Sequence, residues 1–349
     1  MKMYFSLLDL VRFFAAFWVM NFHYFLSWDG EMSWHRYGNL GVQLFFIVSG
    51  FVITQSMYGK NLKTFALGRF IRLFPLFWIL CTISYIVTLL VPDANPVTFA
   101  EYLISMTMLG DKFGSFLGYS RLVDPAYWTL AVELIFYMGV GIYVYLFSDK
   151  YLRYFFASWF VFSFFVFFFS IDQNFIVKLM LVRHAAYFVF GGMLAIIITK
   201  QAKNIYESMF DWTILIMSAL FATYIHPKAL PPYFGPIPVD VYYVTILHIF
   251  MFIGVLLLVY LSPYIKNKKT LHIFAVIGGL TYPLYLLHQT IGSTIINFTT
   301  SRYPISHNHV ALILEVLVIV LAYIAYRQDK TLRGWLKKKI LTSEETPSL

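Results

Sequence analysis

Long apolar stretches separated by short polar segments run through the whole chain. Each stretch is close to 18 residues or longer, which is the length that an α-helix needs to cross the hydrocarbon core of a bilayer. The pattern therefore predicts an all-α polytopic membrane protein with about ten transmembrane helices. The predicted spans lie near residues 5–26, 38–57, 73–92, 126–147, 154–171, 183–199, 209–226, 240–263, 271–293 and 308–327.

The basic residues between these spans predict how the chain is oriented. With the N-terminus in the cytoplasm, the inner segments carry 18 Lys and Arg residues and the outer segments carry seven. Every inner segment is then basic, as the positive-inside rule requires. We therefore expect both termini to be cytoplasmic and the protein to be a multi-pass component of the inner, cytoplasmic membrane.

The composition agrees with a membrane protein and speaks against a soluble domain and against a nucleic-acid-binding protein. The chain of 349 residues is 60% hydrophobic and only 12% charged, about half the charged fraction of a soluble domain. The excess of 26 Lys and Arg residues over 17 Asp and Glu residues could indicate binding to nucleic acid. The basic residues lie between the spans, however, so orientation in the membrane explains them better. We expect no nucleic-acid partner.

Three segments outside the spans have features of their own. The predicted outer loop 93–125 contains the apolar piece TFAEYLISMTML, which is too short to span and suits a re-entrant or interfacial helix. The proline-rich segment 227–238 predicts an extended or turned loop. Residues 1–339 are expected to form one transmembrane domain, and residues 340–349 a disordered cytoplasmic tail.

Two ionisable residues, Arg12 and His23, share the first predicted span. Such residues inside a membrane are costly and mark functional sites. Eleven residues apart, they would lie on one face of a helix and be separated by roughly 16 Å of rise. A neutral imidazole can accept a proton from a hydroxyl group. The alternatives are a packing histidine and an arginine that serves as the counter-ion of a buried carboxylate.

Further polar residues in the spans are candidates for the same cavity. Glu133, at a depth similar to that of His23, could hold its imidazole and stabilise the cationic form, or form a structural pair. His288, His248 and Trp128 could line the cavity, although packing is the favoured role for each histidine alone. The loop histidines His35, His226, His307 and His309 are expected to have no such role.

Arg69 and Arg72 lie in the predicted inner loop just before the third span and are spaced to share one helix face. Arginine binds phosphate oxygens in bidentate fashion, and the alternative is that these residues set topology and contact anionic lipid. Ser49 and Gly50, in the second span, would let helices approach closely or let a slender ligand pass. The sequence has no HExxH motif or comparable ligand spacing, so we expect no metal site.

Five segments in this order along the chain form one pattern: LDLVRFFAAFWVMNFH, GVQLFFIVSGFVIT, GRFIRLFPLFW, YWTLAVELIFY and TYPLYLLHQTIG. Taken together, these segments resemble the acyltransferase 3 family of integral-membrane acyltransferases over residues 5–327. Thr129 stands where the family usually has serine. Gln43 stands where many members have aspartate, so no role of that carboxylate carries over.

The resemblance implies O-acyl transfer, commonly of acetyl, from cytoplasmic acyl-CoA to a hydroxyl of a cell-surface or lipid-linked carbohydrate. Arg69 and Arg72 would hold the CoA phosphates, and Arg12, with Ser49, would lie along the path of the pantetheine arm. His23 would act as general base or carry the acyl group briefly, and Glu133 would orient it or balance its charge.

Two other functions remain open at this stage. A proton-coupled transporter or flippase for a glycolipid or small solute would also bury His, Glu and Arg. A structural subunit of an export or synthesis complex would tolerate replacement of these residues. The identity of the acceptor, the type of acyl group and the oligomeric state are left open, and membrane lipid is the expected surrounding partner.

Overall fold

The computed structural model describes residues 4–344 apart from 26–33, 93, 120, 170–176, 178, 231–232 and 235–236. Helices dominate this part of the chain. They are α1 (Leu7–Phe25), α2 (Gly41–Met57), α3 (Leu62–Leu90), α4 (Phe99–Ser105), α5 (Gly110–Phe113), α6 (Trp128–Phe147), α7 (Leu152–Phe168), α8 (Val182–Ile198), α9 (Ile205–Ala229), α10 (Val241–Leu261), α11 (Lys268–Leu287), α12 (Gln289–Arg302) and α13 (His307–Glu344).

Short 3₁₀ turns and one minimal hairpin connect some of these helices. The hairpin pairs strands β1 (Tyr233–Phe234) and β2 (Ile237–Pro238) in antiparallel fashion. The 3₁₀ turns are Trp34–Leu40, Ser115–Leu117, Pro125–Tyr127, Asp149–Tyr151 and Ser262–Tyr264.

Eight helical segments within the described residues are long and apolar enough to cross a membrane. The prediction of an all-α polytopic membrane protein is therefore confirmed. The predicted first and sixth spans correspond to α1, which carries Arg12 and His23, and to the shorter apolar helix α8. The count of ten and the cytoplasmic termini stay predictions. The eight segments are Trp34–Met57, Leu62–Leu90, Pro125–Phe147, Asp149–Phe168, Ile205–Pro227, Val241–Tyr264, Lys268–Leu287 and His307–Lys339.

Several helix boundaries differ from the predicted ones. Helix α3 begins at Leu62 rather than near residue 73, because Leu, Lys, Ala and Arg are good helix formers and continue the helix beyond its apolar part. The predicted ninth span, 271–293, divides at His288 into α11 and α12. Helix α13 continues to Glu344, so the predicted tail begins as helix, and residues 345–349 lie outside the described residues.

The apolar piece of the long outer loop is helical, as predicted, and its placement relative to the membrane stays a prediction. It forms α4, and Thr98 and Glu101 close its first turn as a reciprocal capping box. The N–H hydrogen bond from Thr98 lowers the pKa of the Glu101 carboxyl. The proline-rich segment 227–238 is helical up to Ala229 and then forms the hairpin. The prediction of an extended or turned segment is therefore confirmed at the two strands and wrong at residues 227–229.

The described chain divides into two compact units. Unit 1 comprises Met1–Leu62 and Val132–Gly278, and unit 2 comprises Lys63–Ala131 and Gly279–Leu349. In unit 1, helix α8 packs against α2, α7 and α9. Buried Arg153 of α7 forms ion pairs with Glu207 and, at 3.4 Å, with Asp211 of α9. These pairs satisfy charges that would otherwise be costly to bury.

Glycine makes the pairing of α2 with α8 unusually close. A Cβ atom at Gly50 would lie 2.2 Å from the carbonyl oxygen of Phe188, and one at Gly191 would lie 1.9 Å from that of Ile47. Only a residue without a side chain fits such a backbone approach. The helices therefore meet at Gly50, next to Ser49, where the sequence predicts close helix packing.

In unit 2, buried Asp124 ties the long loop to the start of α12. Its carboxylate accepts hydrogen bonds from the backbone N–H groups of Ala126 and Thr290, both at 2.8 Å. Burial raises the pKa of the Asp124 carboxyl to about 6, against the opposing effect of these N–H donors. Tyr282 of α11 adds a hydrogen bond from its hydroxyl to the carbonyl oxygen of Leu73, at 2.9 Å.

Candidate active site

Helix α1 carries Arg12 and His23, and both side chains are half-buried. Two glycines hold the segment that follows against this helix. A Cβ atom at Gly38 would lie 2.1 Å from the carbonyl oxygen of Trp18, and one at Gly41 would lie 2.5 Å from that of Ala15. The part of α1 that leads to His23 is therefore packed backbone to backbone against the segment that follows the helix.

Glu133 of α6 is held by two hydroxyl groups within unit 1. Ser49 Oγ donates to its Oε1 at 2.5 Å, and the Tyr137 hydroxyl donates to its Oε2 at 2.6 Å. Tyr137 lies one helical turn further along α6, so the helix itself positions this donor. The Ser49 hydroxyl thus has a carboxylate partner that sequence reasoning did not anticipate. Contacts of Glu133 with His23 and of Ser49 with a cofactor stay predictions.

Two histidines that the sequence treats separately meet in unit 1. The His226 and His248 ring centroids are 4.8 Å apart. His248 is fully buried, with Nε2 3.0 Å from the Tyr187 hydroxyl and Nδ1 2.9 Å from the carbonyl oxygen of Val244. The interpretation of His226 as a plain loop residue was wrong, because it lies inside α9.

Gln43 extends this cluster of His226, His248 and Tyr187. Its amide lies 3.4 Å from His226 Nδ1. Turned so that its nitrogen donates to the carbonyl oxygens of Asn39 and Leu40, the side chain presents its oxygen to His226. The signal in the sequence is that His226 and His248 lie in the outer halves of consecutive predicted spans, and consecutive elements are usually neighbours in space. His35 is also no plain loop residue, since its ring contacts Phe25 and Trp34.

Arg69 and Arg72 lie inside α3 rather than in the loop before it. The Arg69 guanidinium sits 5.7 Å from the centre of the Phe65 ring. The charge of Arg72 acts on Asp329 of α13, which is buried and forms an ion pair with Arg333, 2.6 Å apart. Arg72 and Arg333 therefore share one carboxylate, that of Asp329, which leaves this group in unit 2 with excess positive charge.

The remaining predicted residues of unit 2 lie around the junction of α11 and α12. His288 is fully buried, and its Nδ1 lies 2.8 Å from the carbonyl oxygen of Tyr285. Trp128, at the start of α6, lines a cavity of about 660 Å³ together with residues of α12.

Among the residues that the structure describes, no three His, Cys, Asp or Glu side chains are grouped so that they could hold a metal ion.

The fold defines a multi-pass α-helical membrane protein. Ionisable and polar side chains form hydrogen bonds and ion pairs between its helices. A family model described as an acyltransferase domain matches residues 5–327. The chain therefore belongs to the acyltransferase 3 family and is a membrane acyltransferase. No curated protein and no solved structure matches the chain.

Proposed function

We propose that this acyltransferase moves an acetyl group from cytoplasmic acetyl-CoA to a hydroxyl of a cell-surface or lipid-linked carbohydrate, in the inner membrane. One observation carries the proposal. Within a chain of this family, Arg12 and His23 lie on one apolar helix, eleven residues apart. A cation and an imidazole spaced roughly 16 Å along a span suit a donor that enters from one side and an acceptor that enters from the other.

His23 is the proposed general base. Its neutral imidazole accepts the proton of the acceptor hydroxyl as the oxygen attacks the thioester carbonyl carbon. The C–S bond then breaks, and the proton passes to the departing CoA thiolate, so protons and charge balance over one turnover. In the alternative mechanism with a covalent intermediate, the imidazole attacks the thioester carbonyl carbon, the C–S bond breaks, and the ring N–H proton passes to the departing CoA thiolate. The acceptor hydroxyl then attacks the acetyl carbon, the C–N bond breaks, and the hydroxyl proton returns to the ring.

Glu133 is the proposed partner of the imidazolium that forms during this step. A carboxylate stabilises a neighbouring cationic imidazole and fixes its orientation. The two hydrogen bonds from Ser49 and Tyr137 support this role, because they hold both carboxylate oxygens in place. Preorganised charge of this kind costs no rearrangement at the moment of reaction.

Arg69 and Arg72 are the proposed ligands of the CoA phosphates, with Arg12 along the path of the pantetheine arm. The excess positive charge around Arg72, Asp329 and Arg333 supports the first assignment. Asp329 would restrain the guanidinium groups and leave net positive charge for the phosphates, which arginine recognises through paired N–H groups.

Arg72→Ala tests the donor assignment. We expect the KM for acetyl-CoA to rise about 10- to 100-fold, since a charge-assisted hydrogen bond contributes about 1.5–3 kcal/mol. We expect kcat to change little, because ground state and transition state lose the same contact. The measurement is transfer of radiolabelled acetyl from acetyl-CoA to the glycan fraction of membranes that contain the protein.

Arg327→Ala is the matched control, because Arg327 is an exposed arginine of α13 near the same group. It should keep the wild-type KM. Equal KM values in the Arg72 variant and the wild type would remove Arg72 from the donor site. Absence of acetyl transfer by the wild-type protein would count against the proposed function itself and would favour a transporter.

A further inference from the structure

The proposed chemistry assigns no role to the polar cavity of unit 2 that Trp128 and α12 line. This cavity has a volume of about 660 Å³, within the range of about 300–1,000 Å³ that small-molecule sites occupy. Its walls are the outer loop, between Ala94 and Trp128, and the first half of α12. By the predicted orientation it opens on the outer side of the membrane, where the acceptor is expected.

One face of α12 supplies a continuous row of neutral hydrogen-bonding groups. The row repeats at helical spacing, and its hydroxyl and amide groups both donate and accept. A polyol needs such a surface, because each sugar hydroxyl is also donor and acceptor. A lipid chain would leave these groups without partners, at a cost. The row consists of Gln289, Thr290, Ser293, Thr294 and Asn297.

The charged residues of the cavity are already engaged with the protein. Arg121 donates to the carbonyl oxygens of Asn95, at 2.6 Å, and Pro96, at 3.4 Å. Asp111 forms an ion pair with Lys112, at 2.7 Å. The charge of Arg121 also acts on the carboxylate of Glu101 in α4. The electrostatics therefore favour a neutral ligand over a phosphate or another anion.

Two aromatic side chains complete the lining. Trp128 is half-buried and Tyr119 is exposed, and both line the cavity. Aromatic rings present broad apolar faces with a polar group at the edge. A sugar ring has an apolar face of C–H groups and a rim of hydroxyls, so it matches an aromatic wall beside a row of amides and hydroxyls.

The walls are tied together before any ligand binds. Thr290 Oγ1 donates to the carbonyl oxygen of Val123 at 3.0 Å, and the Val123 N–H donates to Ser105 Oγ at 3.0 Å. Buried Asp124 adds the hydrogen bond to the Thr290 N–H. A preorganised site loses less conformational entropy when it binds, so weak ligands such as single sugar units can be held.

We propose that this cavity binds a neutral sugar unit of the acceptor glycan, through the α12 row and the Trp128 and Tyr119 rings. Its role as the acceptor site rests on the proposed function, whereas sugar binding as such does not. The row on α12 would then select among sugars by the arrangement of their hydroxyls, since a hydroxyl that meets no partner leaves protein groups unpaired.

Saturation-transfer NMR on the full chain in nanodiscs tests the inference. The probes are methyl glycosides of glucose, galactose, mannose and N-acetylglucosamine, with glucose 1-phosphate as the anionic comparison. We expect transfer to at least one methyl glycoside. Thr294→Val and Asn297→Ala should each weaken its binding about 2- to 10-fold, and Trp128→Ala should weaken it more.

Thr299→Val is the matched control, because the Thr299 hydroxyl bonds to the carbonyl oxygen of Ile295 in its own helix and lies outside the cavity. It should bind the same glycoside as the wild type does. Absence of transfer to every methyl glycoside, stronger binding of glucose 1-phosphate, or equal losses in Thr294→Val and Thr299→Val would overturn the inference.

Binding of radiolabelled acetyl-CoA to the same samples separates the two proposals. If acetyl-CoA binds and no methyl glycoside does, the cavity inference fails and the proposed function stands. If the methyl glycosides bind with the expected variant pattern and acetyl-CoA does not, the cavity is a sugar site and the proposed function fails.

Discussion

His23→Ala is expected to lower the rate of acetyl transfer by about 10²- to 10⁴-fold, which is the usual contribution of a positioned general base. Without the imidazole, the acceptor hydroxyl keeps its proton and attacks the thioester poorly. The donor site is untouched, so the KM for acetyl-CoA should stay close to that of the wild type. The measurement is the initial rate of radiolabel transfer in membranes that hold equal amounts of folded protein.

His309→Ala is the control for this variant, because His309 is an exposed histidine in the first turn of α13. It should transfer acetyl at the wild-type rate. His23→Gln adds a second test, since glutamine keeps a polar side chain but cannot take up a proton near neutral pH. Full activity in His23→Ala or His23→Gln at normal expression would remove His23 from the chemistry.

Gly191→Leu is expected to cost more than about 3 kcal/mol of stability, above the usual range for overpacking. A shift of that size changes the unfolding equilibrium by more than about 100-fold. The reason is the distance of 1.9 Å between a Cβ atom at this position and the carbonyl oxygen of Ile47. Two backbones meet there, and neither can move aside as a flexible side chain would. Thermal unfolding in detergent, with the monodisperse fraction after purification, measures the loss.

Gly254→Leu provides the matched control in α10. A Cβ atom at Gly254 meets no atom within 4 Å, so the leucine side chain has room. Leucine also has the higher helix propensity of the two residues, so this variant should be as stable as the wild type or more stable. Equal stability of the Gly191 and Gly254 variants would contradict the close packing of α2 with α8.

The sequence predicts the helices well, because a segment that crosses a bilayer must be apolar over its length. It must also pair every backbone N–H and C=O group by hydrogen bonds within the segment, as a helix does. Helical segments occur at every predicted span. The boundaries were less predictable at Leu62 and His288, since helix α3 continues into polar residues and the predicted ninth span runs across the break at His288 into α12. Hydropathy registers the transfer of side chains to lipid and not where a helix ends.

The candidate site was predictable as a set of residue types and not as a set of contacts. An ionisable residue in an apolar span, such as His23 or Glu133, stands out from the sequence alone. The hydrogen bonds from Ser49 and Tyr137 to Glu133 depend on which helices pack together. The same holds for the contact between His226 and His248. These contacts follow from tertiary packing, which hydropathy does not encode.

Sided membrane vesicles test the central claim most directly, namely that the donor enters from the cytoplasm and the acetyl group passes His23. Radiolabelled acetyl-CoA is supplied to sealed inside-out and right-side-out vesicles that contain wild-type protein or His23→Ala. The account predicts label in the glycan fraction of wild-type inside-out vesicles, and only background label in the other three samples. Equal labelling of right-side-out vesicles, or of inside-out vesicles that contain His23→Ala, would contradict it.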